Sequence, residues 1–88
     1  MRYIVTVKKK ISKKLLKLPK NVQKLFFLLV EDLKEEGPKQ NSWPNFSPLG
    51  KNKFHCHLSY SYVACWTYEK ENITIEVYYV GSREKASY

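Results

Sequence analysis

Hydrophobic and polar residues alternate near the start of the chain and again over its last third. The first stretch, residues 3–7, is short and rich in β-branched side chains, which predicts a strand. The last third predicts three more strands, over residues 54–58, 62–68 and 73–80, joined by short polar turns. Consecutive strands joined by turns of this length pair in the antiparallel sense.

Between these two regions the apolar residues recur with helical spacing. Ser12 is predicted to cap a short helix that runs to Leu18. Pro19 suits the first turn of a second helix, because an N–H group has no helical partner there. Gly37 and Pro38 are predicted to end that helix. Its apolar face consists of Val22, Leu25, Phe26, Leu29 and Leu33.

The order of these elements predicts the fold. We expect an α+β protein in which an N-terminal strand and a two-helix hairpin precede three antiparallel strands, all in one sheet packed on the helices. Residues 1–88 should form a single domain, since a chain of this length has room for one core. Residues 39–53 are predicted to be a loop of about 15 residues, a length that suggests a function or a partner.

The strand register assigns side chains to the two faces of the sheet. If Leu58 pairs with Tyr62 and Tyr68 pairs with Ile73, one face carries no charge and should pack on the helices. We call it the core face, and we call the opposite one the second face. The core face then holds Phe54, Cys56, Leu58, Tyr62, Ala64, Trp66, Tyr68, Ile73, Ile75, Val77 and Tyr79, and the second face holds His55, His57, Val63, Cys65, Thr67, Thr74, Glu76, Tyr78 and Val80.

The same register separates the two cysteines. Cys56 and Cys65 lie on opposite faces, so we expect no disulfide between them. Cys56 should be core packing, whereas Cys65 is either inert packing or a reactive thiol. The second face is predicted to carry two rows of cross-strand neighbours, which are His55, Cys65 and Glu76 in one row and His57, Val63 and Tyr78 in the other.

The charge of the chain is strongly basic. It has 16 Lys and Arg against 8 Asp and Glu, a net charge of +8, and its first 24 residues hold nine cations and no acid. A basic face on so small a body suits nucleic acid or an anionic membrane surface, although a lysine-rich surface also serves solubility. No apolar run approaches the ~18 residues of a membrane span, and the N-terminus lacks a signal-peptide layout. We therefore expect a cytoplasmic protein that binds a polyanion.

His55 and His57 are the two histidines, and both are predicted on the second face. They could be ordinary surface residues, or they could bind a metal together with Cys65 and Glu76, although strands ~4.8 Å apart hold such side chains parallel. They could also perform acid–base or phosphate-binding chemistry near pH 7. This last interpretation is favoured because basic residues flank the pair in sequence. These residues are Lys51, Lys53, Arg83 and Lys85.

The end of the chain carries two more candidates. Arg83 follows the last predicted strand, where a guanidinium can fork onto a phosphate. Tyr88 can stack on a base or hydrogen-bond an oxygen. The alternative is a frayed polar terminus.

Four segments resemble the RelE/ParE superfamily of toxins from toxin–antitoxin systems. They are Lys-Leu-Pro-Lys at 17–20, Trp-Pro-Asn-Phe at 43–46, Phe-His-Cys-His-Leu at 54–58, and the stretch from Val77 to Ala86. The last two are quite specific together. The resemblance covers nearly the whole chain and implies the same α+β fold.

In RelE-type members the toxin occupies the ribosomal A site, and the 2′-hydroxyl of one mRNA nucleotide attacks the adjacent phosphate. These members carry two lysines in the second strand, and His55 and His57 stand at those positions here. A family arginine in the third strand aligns with Val63, so this chain has one cation fewer to bind the phosphate. Arg83 stands at the position of the family arginine after the last strand. The family tyrosine that follows that arginine aligns with Tyr88, with a spacing that is one residue shorter here.

The resemblance implies a metal-independent endoribonuclease without a cofactor, since attack by a 2′-hydroxyl needs only a base, an acid and cations placed on the phosphate. One of His55 and His57 would be the base and the other the acid or a phosphate contact. Arg83 would stabilise the phosphate charge, and Glu76 is an alternative base. Tyr88 would orient a base, and RNA would be held by Lys51, Lys53, Lys85, Lys8, Lys9, Lys10 and Lys13.

The implied partners are an acidic antitoxin, the ribosome and mRNA, with no membrane and no small-molecule cofactor. Three alternatives stay open. The chain could be a non-enzymatic ParE-like toxin directed at gyrase, an inactive relic that only binds its antitoxin, or a small basic RNA-binding protein without a toxin role.

Overall fold

The computed structural model describes residues 2–86, which form five strands and two α-helices. The chain runs through β1 (Ile4–Val7), α1 (Lys9–Leu15), α2 (Lys20–Glu36), β2 (Ser47–Gly50), β3 (Lys53–Ser59), β4 (Tyr62–Glu69) and β5 (Thr74–Ser82). Over these residues the strands form one sheet in the order β1-β5-β4-β3-β2, in which β1 is parallel to β5 and the other pairs are antiparallel. The expected α+β class is confirmed.

The two helices follow the apolar spacing, but both ends of α1 differ from the prediction, since α1 ends at Leu15 and not at Leu18. α1 begins at Lys9, before Ser12, and Lys8 at its N-cap makes no side-chain cap. The early start is needed to bury Ile11 together with Leu15, one turn later on the same helix face. α2 begins after Pro19 and ends at Glu36, as expected from the positions of Pro19 and Gly37.

The segment predicted as a loop contains the edge strand β2. Ser47 lies opposite His55 and Pro48 opposite Phe54. Proline is tolerated there because an edge strand has one side without a strand partner. The preceding residues are pinned to the end of α2, since the Trp43 indole N–H donates to Asp32 Oδ2 at 2.9 Å. This segment is therefore ordered against both the helix and the sheet.

β3 and β4 pair as predicted over most of their length. His55 lies opposite Cys65, and His57 lies opposite Val63. At the end of the hairpin, Ser59 pairs with Tyr62, so the turn contains two residues and not three.

The pairing of β4 with β5 differs from the prediction. Trp66 lies opposite Val77, two residues further along β5 than expected, because residues 70–72 form a 3₁₀ helix and β5 begins only at Thr74. A shift by two residues preserves the faces. A bulge then inserts one extra residue in β5 between Val77 and Tyr79, which exchanges the faces beyond it. Val80 consequently joins the core, and Tyr79 lies opposite Cys65.

The helices cover the core face of the sheet. Trp66 is fully buried there, and its indole N–H donates to the Pro38 carbonyl at 3.0 Å. Cys56 belongs to this core, whereas Cys65 is buried opposite His55 on the second face, and both thiols are free. No helix among residues 2–86 is both long and apolar enough to cross a membrane.

Candidate functional site

His55 and His57 lie side by side on the second face of β3. Burial alternates along this strand, with Phe54, Cys56 and Leu58 directed into the core and both histidines half-buried on the other side. Their ring centroids are 6.0 Å apart. Strand periodicity thus places both imidazoles on one face of the sheet, as the sequence predicts.

His55 is oriented by β2. Its Nδ1 lies 3.1 Å from the Ser47 hydroxyl and 3.3 Å from the Ser47 carbonyl oxygen. A carbonyl only accepts hydrogen bonds, so this contact favours the tautomer in which Nδ1 carries the proton and Nε2 is the basic nitrogen. The sequence analysis missed Ser47, because it assigned no strand to this segment.

His57 is held by the segment that precedes β2. Its backbone N–H donates to the Pro44 carbonyl at 2.8 Å, and its Nδ1 lies 3.4 Å from the Asn45 side-chain amide. Partial burial lowers the pKa of His57 below its ordinary 6.5, and the nearby charges of His55 and Arg83 lower that pKa further. The imidazole of His57 is therefore mostly neutral at pH 7.

Arg83 directly follows β5, close enough to His57 for its charge to act on that imidazole. The Ser82 hydroxyl accepts a hydrogen bond from the Glu84 backbone N–H at 3.2 Å, which starts a 3₁₀ helix over Arg83–Lys85. The Arg83 backbone N–H donates to the Ser61 carbonyl at 2.9 Å and ties this helix to the β3–β4 turn. The guanidinium carbon of Arg83 lies 5.2 Å from the ring centroid of Tyr60 in that turn.

Gly81 permits the close packing just before Arg83. A Cβ atom at this position would lie 2.9 Å from the Tyr79 hydroxyl, which donates to the Ser82 carbonyl at 2.7 Å. A larger residue would displace Tyr79 and with it the carbonyl that precedes Arg83.

Glu76 does not join the histidines. It lies opposite Thr67, in the row of Lys53, and not opposite Cys65 as predicted. The different β4–β5 register is the physical reason for this change. Glu76 therefore stands one row away from His55, which weakens its case as an alternative base.

Cys65 is an inert thiol. It is buried, and burial raises its pKa to about 11 despite a hydrogen bond from Tyr78 and the charge of Lys53. A thiol that is a nucleophile near pH 7 needs a lowered pKa and access to solvent. The alternative of a reactive Cys65 is therefore wrong.

The alternative of a metal site formed by His55, His57, Cys65 and Glu76 finds no support in the described residues. Within residues 2–86, no three side chains of His, Cys, Asp and Glu come together as a group that could hold a metal ion. Glu76 in the neighbouring row leaves His55, His57 and Cys65 without a carboxylate at the position expected from the sequence.

The predicted RNA-binding lysines fall into three groups. Lys53 is half-buried, with its Nζ 5.4 Å from the ring centroid of Tyr78, and it borders a pocket of about 250 Å³ together with Lys8. Lys51 and Lys85 are exposed in the β2–β3 turn and the C-terminal 3₁₀ helix. The remaining lysines belong to α1. A shallow groove of about 480 Å³ along α1 and the residues just after it is lined by Lys9, Lys10, Lys13, Lys14 and Lys17.

Three residues beside the site were missed, and Tyr88 lies outside the described residues. Asn45, Ser47 and Tyr60 each belong to a turn or an edge strand, where apolar periodicity carries no signal. The unusual length of the segment over residues 39–53 was the sequence signal that could have found the first two.

Comparison with known proteins gives no match to a family model and none to a curated protein sequence. Solved structures do match. A metal-bound toxin from Helicobacter pylori is 26% identical over 99% of this chain and 100% of its own, with a TM-score of 0.76. A chain of the archaeal RelE–RelB complex from Pyrococcus horikoshii OT3 is 19% identical over 98% of this chain and 100% of its own, with a TM-score of 0.78.

A mutant of the E. coli toxin RelE in the free state is also similar, with 19% identity over 98% of this chain and 88% of its own and a TM-score of 0.77. The chain has the RelE toxin fold. The α+β fold that the resemblance implies is thus confirmed over nearly the whole length of this chain. A fold does not fix chemistry, so the roles of His55, His57 and Arg83 stay predictions.

Proposed function

We propose that this RelE-like protein is the toxin of a toxin–antitoxin system and that it cuts mRNA on the ribosome. The observation that supports this most directly is the pair of His55 and His57 on the second face, 6.0 Å apart by ring centroid, with the charge of Arg83 close enough to lower the pKa of His57. Two imidazoles and a guanidinium supply a base, an acid and a phosphate clamp.

The proposed reaction is an in-line attack within the RNA backbone. A base removes the proton of a 2′-hydroxyl, and the 2′-oxygen forms a bond to the adjacent phosphorus. The bond from phosphorus to the 5′-oxygen of the next nucleotide then breaks, and an acid protonates that oxygen. The products are a 2′,3′-cyclic phosphate and a free 5′-hydroxyl, so no atom or electron has to come from a further reagent.

We assign the base to His57 and the acid or phosphate contact to His55. A general base must be neutral, and the lowered pKa of His57 keeps it so at pH 7. His55 is oriented by Ser47, which suits a group that must meet a phosphate or a leaving oxygen at a fixed angle. Arg83 would bind the phosphate oxygens, where charge increases in the transition state.

The lysines would place the toxin on RNA. Lys53 and Lys8 border one pocket on the second face, and α1 adds a groove formed by five lysines. Such cations bind phosphates without regard to sequence and make binding depend on salt. They suit docking on ribosomal RNA, which would deliver the candidate site to the mRNA.

An acidic antitoxin is the proposed protein partner. The archaeal relative was solved as a RelE–RelB complex, and the net charge of +8 of this chain favours an acidic segment that folds on binding. A ParE-like toxin directed at gyrase is the second candidate. Its support is Val63, which stands where RelE-type members carry an arginine and which is fully buried.

The test is growth arrest combined with mapping of mRNA ends after induced expression. His57→Ala should slow cleavage by roughly 10²- to 10⁴-fold, as expected for loss of a general base. Arg83→Ala should cost about 10²- to 10³-fold. Lys39→Ala, which removes an exposed cation far from the histidines in sequence, serves as the control and should cleave like wild type.

The outcome also separates the two candidate functions. Cleavage of mRNA that persists in a chelator and is lost in His57→Ala supports the RNA-cutting toxin. Growth arrest with uncut mRNA and inhibited gyrase would replace it with the ParE-like function. Arrest that continues unchanged in all the site variants would show that the candidate site is not responsible.

A further inference from the structure

Tyr60 is an aromatic residue that the reaction above does not use. It lies at the tip of the β3–β4 turn, and 75% of its surface is accessible, the largest fraction for any tyrosine among residues 2–86. Tyrosine usually buries its ring and leaves only its hydroxyl in water. The exposed ring of Tyr60 is therefore available to a ligand.

The ring is already part of a cation–aromatic pair. The guanidinium carbon of Arg83 lies 5.2 Å from the centroid of Tyr60. The backbone hydrogen bond from Arg83 to Ser61 holds the two partners together. Because most of Tyr60 stays accessible with Arg83 over one side, the rest of the ring can receive a second planar group.

A small pocket lies between the turn and the C-terminal 3₁₀ helix. Its volume is about 160 Å³, and its lining combines the aromatic ring and the cation with two hydroxyl groups and one carboxylate. The hydroxyls and the carboxylate can accept hydrogen bonds from the edge of a base, and the hydroxyls can also donate. The lining residues are Tyr60, Ser61, Ser82, Arg83 and Glu84.

This combination fits a nucleotide of single-stranded RNA. Unpaired bases stack on exposed aromatic rings and guanidinium planes, and the adjoining phosphates bind cations. A phosphate alone would not use the ring, and a duplex would keep its bases stacked inside. The net charge of +8 favours a polyanion over an acidic small molecule.

We propose that Tyr60 and Arg83 form a nucleotide-binding subsite beside the histidine pair, in which one base stacks on Tyr60 and the adjoining phosphate is held by Arg83. The subsite rests on the proposed function, because it positions the RNA strand for His57. Val63 stands where RelE-type toxins carry an arginine, and because it is buried it does not contact substrate. In this proposal Tyr60 contributes to substrate binding instead.

The test measures binding and not cleavage. The probe is a single-stranded RNA hexanucleotide with 2′-O-methyl groups throughout, which lacks the attacking hydroxyl. Tyr60→Leu should weaken its affinity about 5- to 100-fold, the typical effect of losing one stacked base. Tyr60→Phe keeps the ring and should bind like wild type. Phe27→Leu removes an exposed ring from α2 and serves as the matched control, with no effect expected.

A second probe separates stacking from charge. An abasic hexanucleotide keeps the phosphates but has no bases, so Tyr60→Leu and wild type should bind it equally. Equal binding of the 2′-O-methyl probe by Tyr60→Leu and wild type would overturn the subsite. An equal loss of affinity of Tyr60→Leu for the abasic probe would also overturn the subsite. Tyr60 would then affect the binding of phosphates by the cations and would not stack on a base.

The two proposals fail in different ways. If Tyr60→Leu loses affinity for the 2′-O-methyl probe while the wild type leaves RNA uncut, the subsite stands and the proposed reaction is wrong. If the wild type cuts mRNA and Tyr60→Leu cuts and binds equally well, the reaction stands and the subsite is wrong.

Discussion

Histidine at positions 55 and 57 gives the site a chemistry that lysine would not have near neutral pH. An imidazole exchanges its proton close to pH 7, whereas a lysine needs a strongly lowered pKa to do so. The two rings are nevertheless not equivalent. His55 contacts Ser47 on an edge strand, and His57 lies near Asn45 and the charge of Arg83. We therefore expect different roles from two residues that look alike in the sequence.

The pH dependence of cleavage should report on His57. A base works only when it is neutral, and the pKa of His57 lies below its ordinary 6.5. The value of kcat/KM should therefore hold level as the pH falls through 7 and decrease only below about pH 6.5, where His57 takes up a proton.

An NMR titration of the histidine ring protons measures the same pKa without RNA. Arg83→Ala should move the His57 midpoint to higher pH, because the guanidinium opposes protonation of the ring. A midpoint above 6.5 in the wild type, or one that Arg83→Ala leaves in place, would contradict the described environment of His57.

An arginine at position 63, where RelE-type toxins carry one, should destabilise the protein. Val63 is fully buried on the second face, opposite both His57 and Gly81. Val63→Arg would bring a charge into this space and should lower the free energy of unfolding by at least ~2 kcal/mol. Urea denaturation measures the change, and Val63→Ile, which adds one methylene without charge, is the control. An unchanged stability of Val63→Arg would mean that this part of the sheet opens easily.

At the scale of elements, β2 and the bulge in β5 do most to shape the site. β2 brings Ser47 to His55 and is the edge strand next to the histidines. The bulge between Val77 and Tyr79 moves Val80 into the core and lets Gly81 pair with Val63. Together they bring Arg83 to the β3–β4 turn, where it reaches Tyr60.

α1, together with Lys8 directly before it, is the part of the chain on which RNA docking should depend. Changing Lys8, Lys9, Lys10 and Lys13 to Gln should weaken binding to ribosomes or RNA and reduce the slope of log K against log salt by roughly one unit per lost phosphate contact. The melting temperature should hardly change, because exposed charges contribute little to stability.

A variant with the same loss of charge elsewhere controls for net charge. Lys20, Lys24, Lys39 and Lys70 are exposed and lie outside α1. Their replacement by Gln should leave most of the salt slope in place. A slope that is the same in the two quadruple variants would mean that α1 is only a solvated surface.

At the scale of the whole molecule, the sheet holds its two thiols on opposite faces and buries both of them away from solvent. Burial raises the pKa of Cys56 to about 12 and that of Cys65 to about 11. At pH 8 the native protein should therefore react slowly with a thiol label at both positions, and the denatured protein should react at both without reductant. Mass spectrometry counts the labels. A Cys56–Cys65 bridge after purification would contradict the strand register, and rapid native labelling of Cys65 would contradict its burial.

Much of this fold could be predicted from the sequence, because the patterns that indicate its helices and strands are local. Apolar spacing and the positions of Pro19 and Gly37 determine α2, and alternation along β3 determines that His55 and His57 share a face. The charge-free strand face determines which side packs on the helices. These features depend on the period of one element at a time, which the order of residues encodes directly.

The tertiary structure decided the features that depend on distant segments. The predicted row with Glu76 failed, because the register of β4 with β5 depends on a 3₁₀ turn and a bulge that no single-strand pattern reveals. The start of α1 was set by the burial of Ile11 and not by a cap at Ser12. The contacts of Ser47 with His55 and of Tyr60 with Arg83 join parts of the chain that only the sheet order brings together. The sequence alone thus determined the elements and their faces, and the packing between elements decided which side chains meet at the site.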